Sequence, residues 1–244
     1  MQSSDLTIYA GCILHEPVRW SSAAKVVPVF CGAKRWRATP KQLVSDMPCP
    51  KWEYDDGPKS IDNAYWADLS CIETVLRLTQ DFDGSRLIGN AQYRRSWQEE
   101  AIVPSSSSVL YVPHPAQFGC SLKQQFEGGH NGLPGYEMTM EVASRGLLPL
   151  SADQLDKVWR QNTFHGCLMA RGPKYLYEPF MAMLLEGFCM PLWKDYEQQF
   201  RQQQGYNQRG IAFIAERLFT AMVLYRDALR LGPIESAPIV FHGQ

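Results

Sequence analysis

The segment 85–97, SRLIGNAQYRRSW, carries side chains that could bind an anionic ligand. Its apolar half leads directly into Tyr93 and the adjacent arginines Arg94 and Arg95. The tripeptide 81–83, DFD, stands just before this segment and offers two carboxylates that could bind a metal ion. The chemistry of the site therefore depends on whether the acidic or the basic flank faces the ligand.

The strand between these two flanks separates them. Residues 86–91 predict a strand, and in open parallel α/β sheets the ligands bind outside the carboxyl ends of the strands. The acidic tripeptide then lies at the amino end, in a turn exposed to solvent, whereas Tyr93 and the two arginines lie at the carboxyl end. Adjacent guanidiniums provide fixed charge and planar donors that suit a phosphate-bearing ligand. The alternative is an arginine pair on the surface, neutralised by carboxylates such as Glu99.

The composition predicts one large domain, 1–244, with no strong overall field. The 244 residues are 45% hydrophobic, which is enough for a sizeable core. The formal net charge of -1 predicts attraction to neither nucleic acid nor membrane surfaces. The 7 cysteines form no C-x-x-C pair, which indicates thiols in a reducing cytoplasm rather than a zinc site or a disulfide framework. No secretory signal is recognisable, and no apolar run approaches the roughly 20 residues that span a bilayer.

Local patterns predict an α/β sheet in the first half of the chain. The β-rich runs 6–14 and 25–33 are followed by an amphipathic helix over 60–80 and by the strand 86–91. Strands that alternate with a helix in this way favour a sheet with parallel connections. A further short strand is expected at 109–112.

The second half is expected to be mainly helical. Two helices flank a glycine-rich break around His130, and Ser151 has the sequence context of a helix N-cap. The run 164–172, FHGCLMARG, is interpreted as a strand, and from Lys174 onwards the chain is predicted to be mostly helical. The strongest helical pattern is 209–230, RGIAFIAERLFTAMVLYRDALR, whose apolar residues fall on one face.

Several segments, in order along most of the chain, resemble motifs of a known family. The run LIGNAQYRRSW is similar to a strand followed by an H-Y-R-R motif, with Gln92 in the position of the histidine. The stretch ending in ADLS is similar to one that ends in E-L-T, with Asp68 and Ser70 in place of Glu and Thr. The segment LKQQFEGGH places His130 on a histidine of the motif.

Two later segments extend the similarity. NTFHGCLMARG carries His165 in place of an asparagine, and YNQRGIAFIAERL matches a closing helix that carries Arg209, Glu216 and Arg217. Together these segments resemble the bacterial glycosyltransferases grouped as domain of unknown function 4422, found in capsule, exopolysaccharide and lipopolysaccharide gene clusters. The substituted histidine and asparagine are departures that affect the assignment of substrate and catalytic residues.

This resemblance implies a glycosyltransferase with the A-type (GT-A) nucleotide-sugar-binding fold, a Rossmann-like α/β domain with a helical C-terminal part from about residue 174. Such an enzyme moves a hexose from a nucleotide diphosphate sugar, here UDP-galactose or UDP-glucose, to a hydroxyl of a glycan or lipid-linked glycan acceptor. The expected location is the cytoplasm, with peripheral association with the inner membrane as an alternative. A non-catalytic carbohydrate- or partner-binding module on the same fold is the alternative function. A nucleotidyltransferase is disfavoured, because no acidic pair follows a strand.

Three cations could stabilise the departing diphosphate. Arg94, Arg95 and Arg217 can supply fixed positive charge, so metal-independent transfer is favoured, with Mn²⁺ or Mg²⁺ as the alternative. Asp56 is placed to bind a ribose hydroxyl or base edge, or it is an ordinary turn residue before glycine. Asp68 and Ser70 either bind nucleotide or sugar or face solvent.

A base must remove the proton of the acceptor hydroxyl, and two residues are candidates for this role. His130 has a suitable unperturbed pKa near 6.5, unless it is merely an exposed loop histidine. Glu216 lies in an apolar helix, where a carboxylate must be paired or functional; it could equally support a neighbouring arginine. Tyr93 and His165 are further candidates for nucleotide-sugar binding.

Overall fold

A computed structural model describes residues 6–12, 21–30, 53–54, 63–102, 108–130 and 132–242. Within these residues the chain forms a mixed β-sheet with helices packed against it, so the α/β class predicted from the sequence is confirmed. The strands are β1 (Thr7–Cys12), β2 (Lys25–Phe30), β3 (Glu53–Tyr54), β4 (Leu87–Gln92), β5 (Arg95–Trp97), β6 (Leu110–Pro113), β7 (Ala116–Gln117), β8 (Thr163–Phe164), β9 (Arg171–Pro173), β10 (Ile234–Ala237) and β11 (Ile239–Phe241). The α-helices are α1 (Asn63–Trp66), α2 (Asp68–Leu78), α3 (Glu99–Ile102), α4 (Leu122–Gly129), α5 (Gly135–Ser144), α6 (Ala152–Arg160), α7 (Lys174–Ala182), α8 (Met190–Gln202) and α9 (Gly210–Leu224).

The main sheet has the order β10-β6-β9-β4-β1-β2-β3, with β5 and β11 attached beside β4. Strand β1 runs parallel to both β2 and β4, and β2 runs parallel to β3. Strand β9 lies antiparallel between β4 and β6, and β5 pairs antiparallel with both β4 and β11. The chain therefore builds outwards from β1 to β3 and then returns to place β4 on the other side of β1.

The central strands are apolar because both faces of the sheet are covered. Strands β1 (TIYAGC) and β2 (KVVPVF) are buried at every described position except Lys25. Such continuous apolar runs are typical of buried parallel strands. Strand β4 contains Gly89, where an added Cβ would lie 2.5 Å from the Cβ of Arg171 in β9. Glycine is therefore required for β9 to approach β4.

The larger part of the core lies on the face of the sheet that carries α2 and α9. The apolar residues of helix α9 were expected on one face. In the structure α9 is buried on almost all sides, so its buried surface is wider than that face. Between α7 and α8 the chain forms a π-helical stretch, Met183–Cys189, and a 3-10 turn, Gly205–Arg209, leads into α9. A smaller apolar cluster covers the opposite face of the sheet around Ile8, Phe30 and Trp97.

Two predicted elements differ in the structure. The single helix expected over 60–80 is two helices, α1 and α2, because Ala67 between them has a φ of 45°. The strand expected over 164–172 consists of the end of β8 and the start of β9. They are separated by a bend in which Cys167 (φ 75°) and Leu168 (φ 49°) adopt left-handed conformations.

The other elements are found close to their predicted positions. Strand β6 lies one residue beyond the predicted 109–112, and Ser151 caps α6 through a reciprocal capping box with Gln154. From Lys174 the chain is helical through α9 apart from short connections. Within the described part of the chain, no helix combines the length and apolar character that crossing a membrane would require.

Candidate functional site

A cleft of about 330 Å³ opens at the carboxyl ends of β1 and β4. Strands β2 and β3 continue the sheet on one side of β1, whereas β4 lies on its other side. The cleft therefore lies at a topological switch point, where open α/β sheets bind their ligands. One side, the sheet wall, consists of Gly11 and residues 92–95. The lining residues from the helices and their adjoining turns, called the helical wall, are Asn63, Ala64, Ala67, Asp68, Gln125, His130, Tyr206, Arg209, Ala212, Phe213, Glu216 and Arg217, and Phe164 and Leu168 complete the lining.

The basic flank of β4 forms a hairpin at the edge of the cleft. Strand β4 ends at Gln92, a turn follows at Tyr93 and Arg94, and Arg95 begins β5. The Arg95 guanidinium donates to Oε1 of Gln92, while the Arg94 guanidinium lies 5.2 Å from the centre of the Tyr93 ring. The hairpin thus brings both guanidiniums to the sheet wall, as the sequence predicted.

The acidic flank lies at the other end of the same strand. Asp83 is in the turn before β4, and its carboxylate accepts hydrogen bonds from the hydroxyl and the backbone N–H of Ser85. These bonds lower the pKa of the Asp83 carboxyl. Neither Asp81 nor Asp83 lines the cleft. The structure therefore places the acidic tripeptide away from the site.

A network of hydrogen bonds connects the two walls. Nε2 of Gln92 donates to Oδ2 of Asp68 at 2.9 Å and to the carbonyl oxygen of Cys167 at 2.6 Å. The backbone N–H of Cys167 in turn donates to Oε1 of Glu216 at 3.1 Å. The left-handed bend at Cys167 turns its carbonyl and its N–H towards these two partners. Arg95, Gln92, Asp68 and Glu216 are thereby held in a fixed arrangement.

Arg217 is a buried cation in the helical wall. Its guanidinium lies between the rings of Phe126 and Phe164, at 5.0 Å and 4.8 Å from their centres. It donates to the backbone oxygen of Phe213 at 2.8 Å and to the side-chain oxygen of Gln125, and Oε2 of Glu216 is 3.5 Å away. Burial lowers the pKa of Arg217 to about 10, so the group still carries its charge at neutral pH.

The half-buried carboxyl of Asp68 has a pKa that both burial and the surrounding charges affect. Burial raises its pKa above the usual value, while the positive charges of Arg95 and Arg209 act in the opposite direction. The neighbouring carboxylate of Glu216 adds a further upward contribution. The cleft thus combines two carboxyl groups with several arginines within a small volume.

His130 terminates α4 and is almost fully buried. Its ring stacks on Phe213 with the ring centres 4.0 Å apart, and on Tyr206 with the centres 5.7 Å apart. Burial, and secondarily the charge of Arg217, lower the pKa of His130 to about 4, while a hydrogen bond with the side chain of Asn207 acts in the opposite direction. Its Nδ1 has no hydrogen-bond partner among the described residues. The imidazole is therefore neutral at pH 7 and a weak base.

Two predicted site residues lie outside the cleft. The hydroxyl of Ser70 is buried, donates to the backbone oxygen of Ala67 at 2.8 Å, and accepts from Asn63 at 2.7 Å. His165 is buried beside Thr220, whose hydroxyl accepts its backbone N–H at 3.0 Å. Burial also lowers the pKa of His165. Both residues stabilise the local structure next to the site. The third residue, Asp56, lies outside the described residues.

Several residues that line the cleft were not predicted from the sequence as site residues. They are Asn63, Gln125, Tyr206, Phe213 and the exposed Arg209. Gln125 lies within the segment LKQQFEGGH, and Tyr206 and Arg209 lie within YNQRG. Both segments were identified by resemblance, so their polar and aromatic residues were available as candidates. Their common position in the cleft depends on the fold, which brings α4 and the 3-10 turn to the same wall.

Two carboxylates in the cleft could contribute to binding a metal ion. Among the described residues that line the cleft, Asp68 and Glu216 carry carboxylates, and each has one oxygen that already accepts a hydrogen bond. No group of three or more His, Cys, Asp or Glu side chains that could hold a metal occurs within the described segments. A divalent cation at this position would therefore need additional oxygen ligands, such as those of a diphosphate.

Comparison with solved structures gives a match over the whole fold. The chain is similar to a structure described as apo WbbM, a bifunctional glycosyltransferase, with a TM-score of 0.69 and 12% sequence identity. The match covers 98% of this chain and 45% of that chain, so this chain spans less than half of the other's length. At this level of identity the similarity shows a shared fold, that of a glycosyltransferase structure, in agreement with the GT-A-like fold expected. Neither the protein-family models nor the curated proteins gave a match.

Proposed function

We propose that this protein is a glycosyltransferase that moves a hexose from a nucleotide diphosphate sugar to a hydroxyl of a glycan acceptor. The observation that carries the proposal is the arrangement of the switch-point cleft. The hairpin of Tyr93, Arg94 and Arg95 lies on the sheet wall, and Asp68 and Glu216 lie on the helical wall facing the same space. This is the combination that departure of a diphosphate and deprotonation of a hydroxyl require.

The arginines would stabilise the leaving group. In transfer the bond between the anomeric carbon and the phosphate oxygen breaks, and the diphosphate gains negative charge. Arg94 and Arg95 can donate charge-assisted hydrogen bonds to its oxygens, and these bonds are stronger than neutral ones. Arg217 is fixed by Gln125 and by two aromatic rings, so its positive charge needs little reorganisation during the reaction. These cations support transfer that does not depend on a metal.

Glu216 is the better placed of the two candidate bases. One of its oxygens accepts the backbone N–H of Cys167, which fixes the orientation of the carboxylate beside the cleft. It can take the proton from the acceptor hydroxyl while that oxygen bonds to the anomeric carbon. His130, with its pKa lowered to about 4 and its ring packed against two aromatic rings, is better suited to support the wall. We therefore assign the base to Glu216.

The donor and the acceptor follow from the resemblance of the sequence motifs. UDP-galactose and UDP-glucose are the proposed donors, and a bacterial capsule, exopolysaccharide or lipopolysaccharide glycan is the proposed acceptor. Mn²⁺ or Mg²⁺ bound by the two carboxylates and the diphosphate is the alternative to the cationic mechanism. A chelator separates these two possibilities, because EDTA abolishes metal-assisted binding and leaves arginine-based binding unchanged.

The first test is a thermal-shift screen of nucleotide sugars with EDTA or with Mn²⁺, followed by a donor-hydrolysis assay. We expect UDP-galactose or UDP-glucose to raise the melting temperature in EDTA and to be hydrolysed slowly. Glu216→Gln should lower turnover on the order of 100- to 10,000-fold, the contribution typical of a general base. The matched control is Glu127→Gln, an exposed glutamate of α4 outside the cleft, which should retain full turnover.

The same assay addresses the non-catalytic alternative. Stabilisation by sugars without hydrolysis or transfer of any donor would favour a binding module. Equal losses in the two glutamine variants would contradict the assignment of Glu216. No stabilisation by any nucleotide or nucleotide sugar would contradict the proposed function itself.

A further inference from the structure

An exposed aromatic ring stands in the helical wall and has no role in the transfer chemistry described above. Tyr206 belongs to the 3-10 turn before α9, and 64% of its surface is exposed even though it lines the cleft. The backbone at Gly205 before it has a φ of 57°, a conformation that glycine adopts readily. The turn therefore presents a large ring to solvent at the entrance of the site.

The ring of Tyr206 packs against two other rings, those of His130 and Phe213. It lies nearly parallel to the imidazole of His130, at an interplanar angle of 18°, and 4.7 Å from the ring centre of Phe213. His130 in turn stacks on Phe213 at an angle of 19°. The side chain of Asn207, in the same turn, forms a hydrogen bond with His130. The rings of His130 and Phe213 thus hold the exposed ring of Tyr206 in position, so a ligand meets a preformed surface.

We infer that the Tyr206 ring is a stacking platform for a pyranose ring of the acceptor glycan. One face of a hexopyranose presents C–H groups with partial positive charge, which are attracted to the negative face of an aromatic ring. The sugar hydroxyls at the edge of the ring need polar partners, and Arg209 in the same turn and Gln125 in α4 line the same wall. This inference rests on the proposed function and names the acceptor subsite of that same cleft.

The position of Tyr206 favours the acceptor over the nucleotide. Two of the three cations proposed for the diphosphate, Arg94 and Arg95, are on the sheet wall, whereas Tyr206 is exposed on the helical wall, where the third cation, Arg217, is buried. The same cleft is lined by Asp68, which accepts a hydrogen bond from Gln92, and by Glu216, which lies beside Arg217. An acceptor on the platform would place its hydroxyl towards these carboxylates. The exposed position also leaves room for the remainder of a glycan to extend into solvent.

Saturation-transfer NMR on the whole protein tests this inference. The probes are methyl β-D-galactopyranoside and methyl β-D-glucopyranoside, each measured alone and with UDP. We expect the ring protons of at least one glycoside to receive saturation from the wild-type protein. Tyr206→Ala should lower that signal at least fivefold, whereas Tyr206→Phe, which keeps the ring, should retain most of it. Tyr175→Ala, which removes another exposed tyrosine away from the cleft, is the control and should retain the full signal.

The outcomes separate the platform from the proposed function. Glycoside signals that are absent in the wild type, or that are equal in Tyr206→Ala and Tyr175→Ala, would overturn the platform. A selective loss of uridine signals in Tyr206→Ala would show that the nucleobase stacks there and would also overturn it. Absence of UDP signals from the wild type would contradict the proposed function, while the loss of glycoside signal in Tyr206→Ala would still establish a saccharide site.

Discussion

The half-buried carboxyl of Asp68 in the cleft lowers the stability of the fold when it is ionised. Asp68 is half-buried, and burial raises the pKa of its carboxyl despite the nearby Arg95 and Arg209. A carboxyl with a raised pKa binds its proton more tightly in the folded than in the unfolded state. The free energy of unfolding therefore falls as the pH rises through that pKa. Such a cost is common at sites where ionisable groups serve a ligand.

This gives a prediction for Asp68→Asn. Asparagine can still accept the hydrogen bond from Gln92 but carries no charge. We expect the variant to have a higher free energy of unfolding than the wild type at pH 7 and an equal one near pH 3, where the wild-type carboxyl is protonated in both states. Urea unfolding at the two pH values measures this difference.

The matched control is Asp83→Asn at the other end of the same strand. Hydrogen bonds from Ser85 lower the pKa of Asp83, so its charge adds stability at neutral pH that is lost as the pH falls through the lowered pKa. This variant should therefore be less stable than the wild type at pH 7, with the opposite sign to Asp68→Asn. The same sign for both variants would contradict the description of the cleft.

At the residue scale, the sequence located the charged groups but not their partners. The order of strand and charges was sufficient to place Arg94 and Arg95 at the ligand side, because parallel strands share one direction. The partner of Asp68 could not be predicted, since Gln92 is 24 positions away in the chain and its amide is directed by Cys167. Ser70 was chosen from a motif, but its hydroxyl is used within its own helix turn.

The elements that surround the cleft contain strained backbone. Three non-glycine residues of the cleft and its adjoining bend have positive φ: Ala67, Cys167 and Leu168. Ala67 lies between α1 and α2, immediately before Asp68, and its carbonyl accepts the hydroxyl of Ser70. Conformations of this kind cost on the order of 1–3 kcal/mol each and persist where surrounding structure enforces them. Here they direct Asp68 and the Cys167 peptide towards the cleft.

Ala67→Gly tests this strain. Glycine adopts the backbone angles found at this position, φ 45° and ψ -125°, without a steric penalty from Cβ. We expect the substitution to raise the free energy of unfolding by about 1 kcal/mol, from the midpoint of urea unfolding. Ala64→Gly, in the helical conformation of α1, is the matched control and should lower it by about 0.5–1 kcal/mol. Destabilisation by both variants would contradict a strained Ala67.

At the element scale, the periodicity of apolar residues predicted the helices and longer strands, but it did not predict where they are interrupted. The apolar spacing of 60–80 continues across α1 and α2, so it gave no sign of the break at Ala67. Strand β9 has three residues, and it is defined by pairing with β4 and β6 rather than by any local preference. The left-handed positions of the bend before β9 are not occupied by glycine. The residue preferences of turns therefore did not predict this bend.

At the scale of the whole molecule, the candidate site lies where the strand order of the sheet reverses. The sheet extends from β1 to β3 on one side and continues from β4 through the antiparallel β9 on the other. The cleft lies between these halves, closed by α9 and the 3-10 turn. An α/β fold was predictable from the alternation of elements, whereas the antiparallel insertion was not. Contacts between distant segments decide it, and a short strand carries little pattern of its own.

The most direct test of the central claim is isothermal titration of the wild type, Arg95→Gln and Arg86→Gln with UDP in the presence of EDTA. Arg86 immediately precedes the same strand at its amino end and does not line the cleft. We predict that UDP binds the wild type, and that Arg95→Gln weakens binding about 10- to 100-fold, as expected for the loss of a charged hydrogen bond. Arg86→Gln should change the affinity by less than about twofold, since it leaves the cleft unaltered. Equal weakening in the two variants, or unchanged affinity in Arg95→Gln, would contradict the claim that the basic hairpin binds the diphosphate.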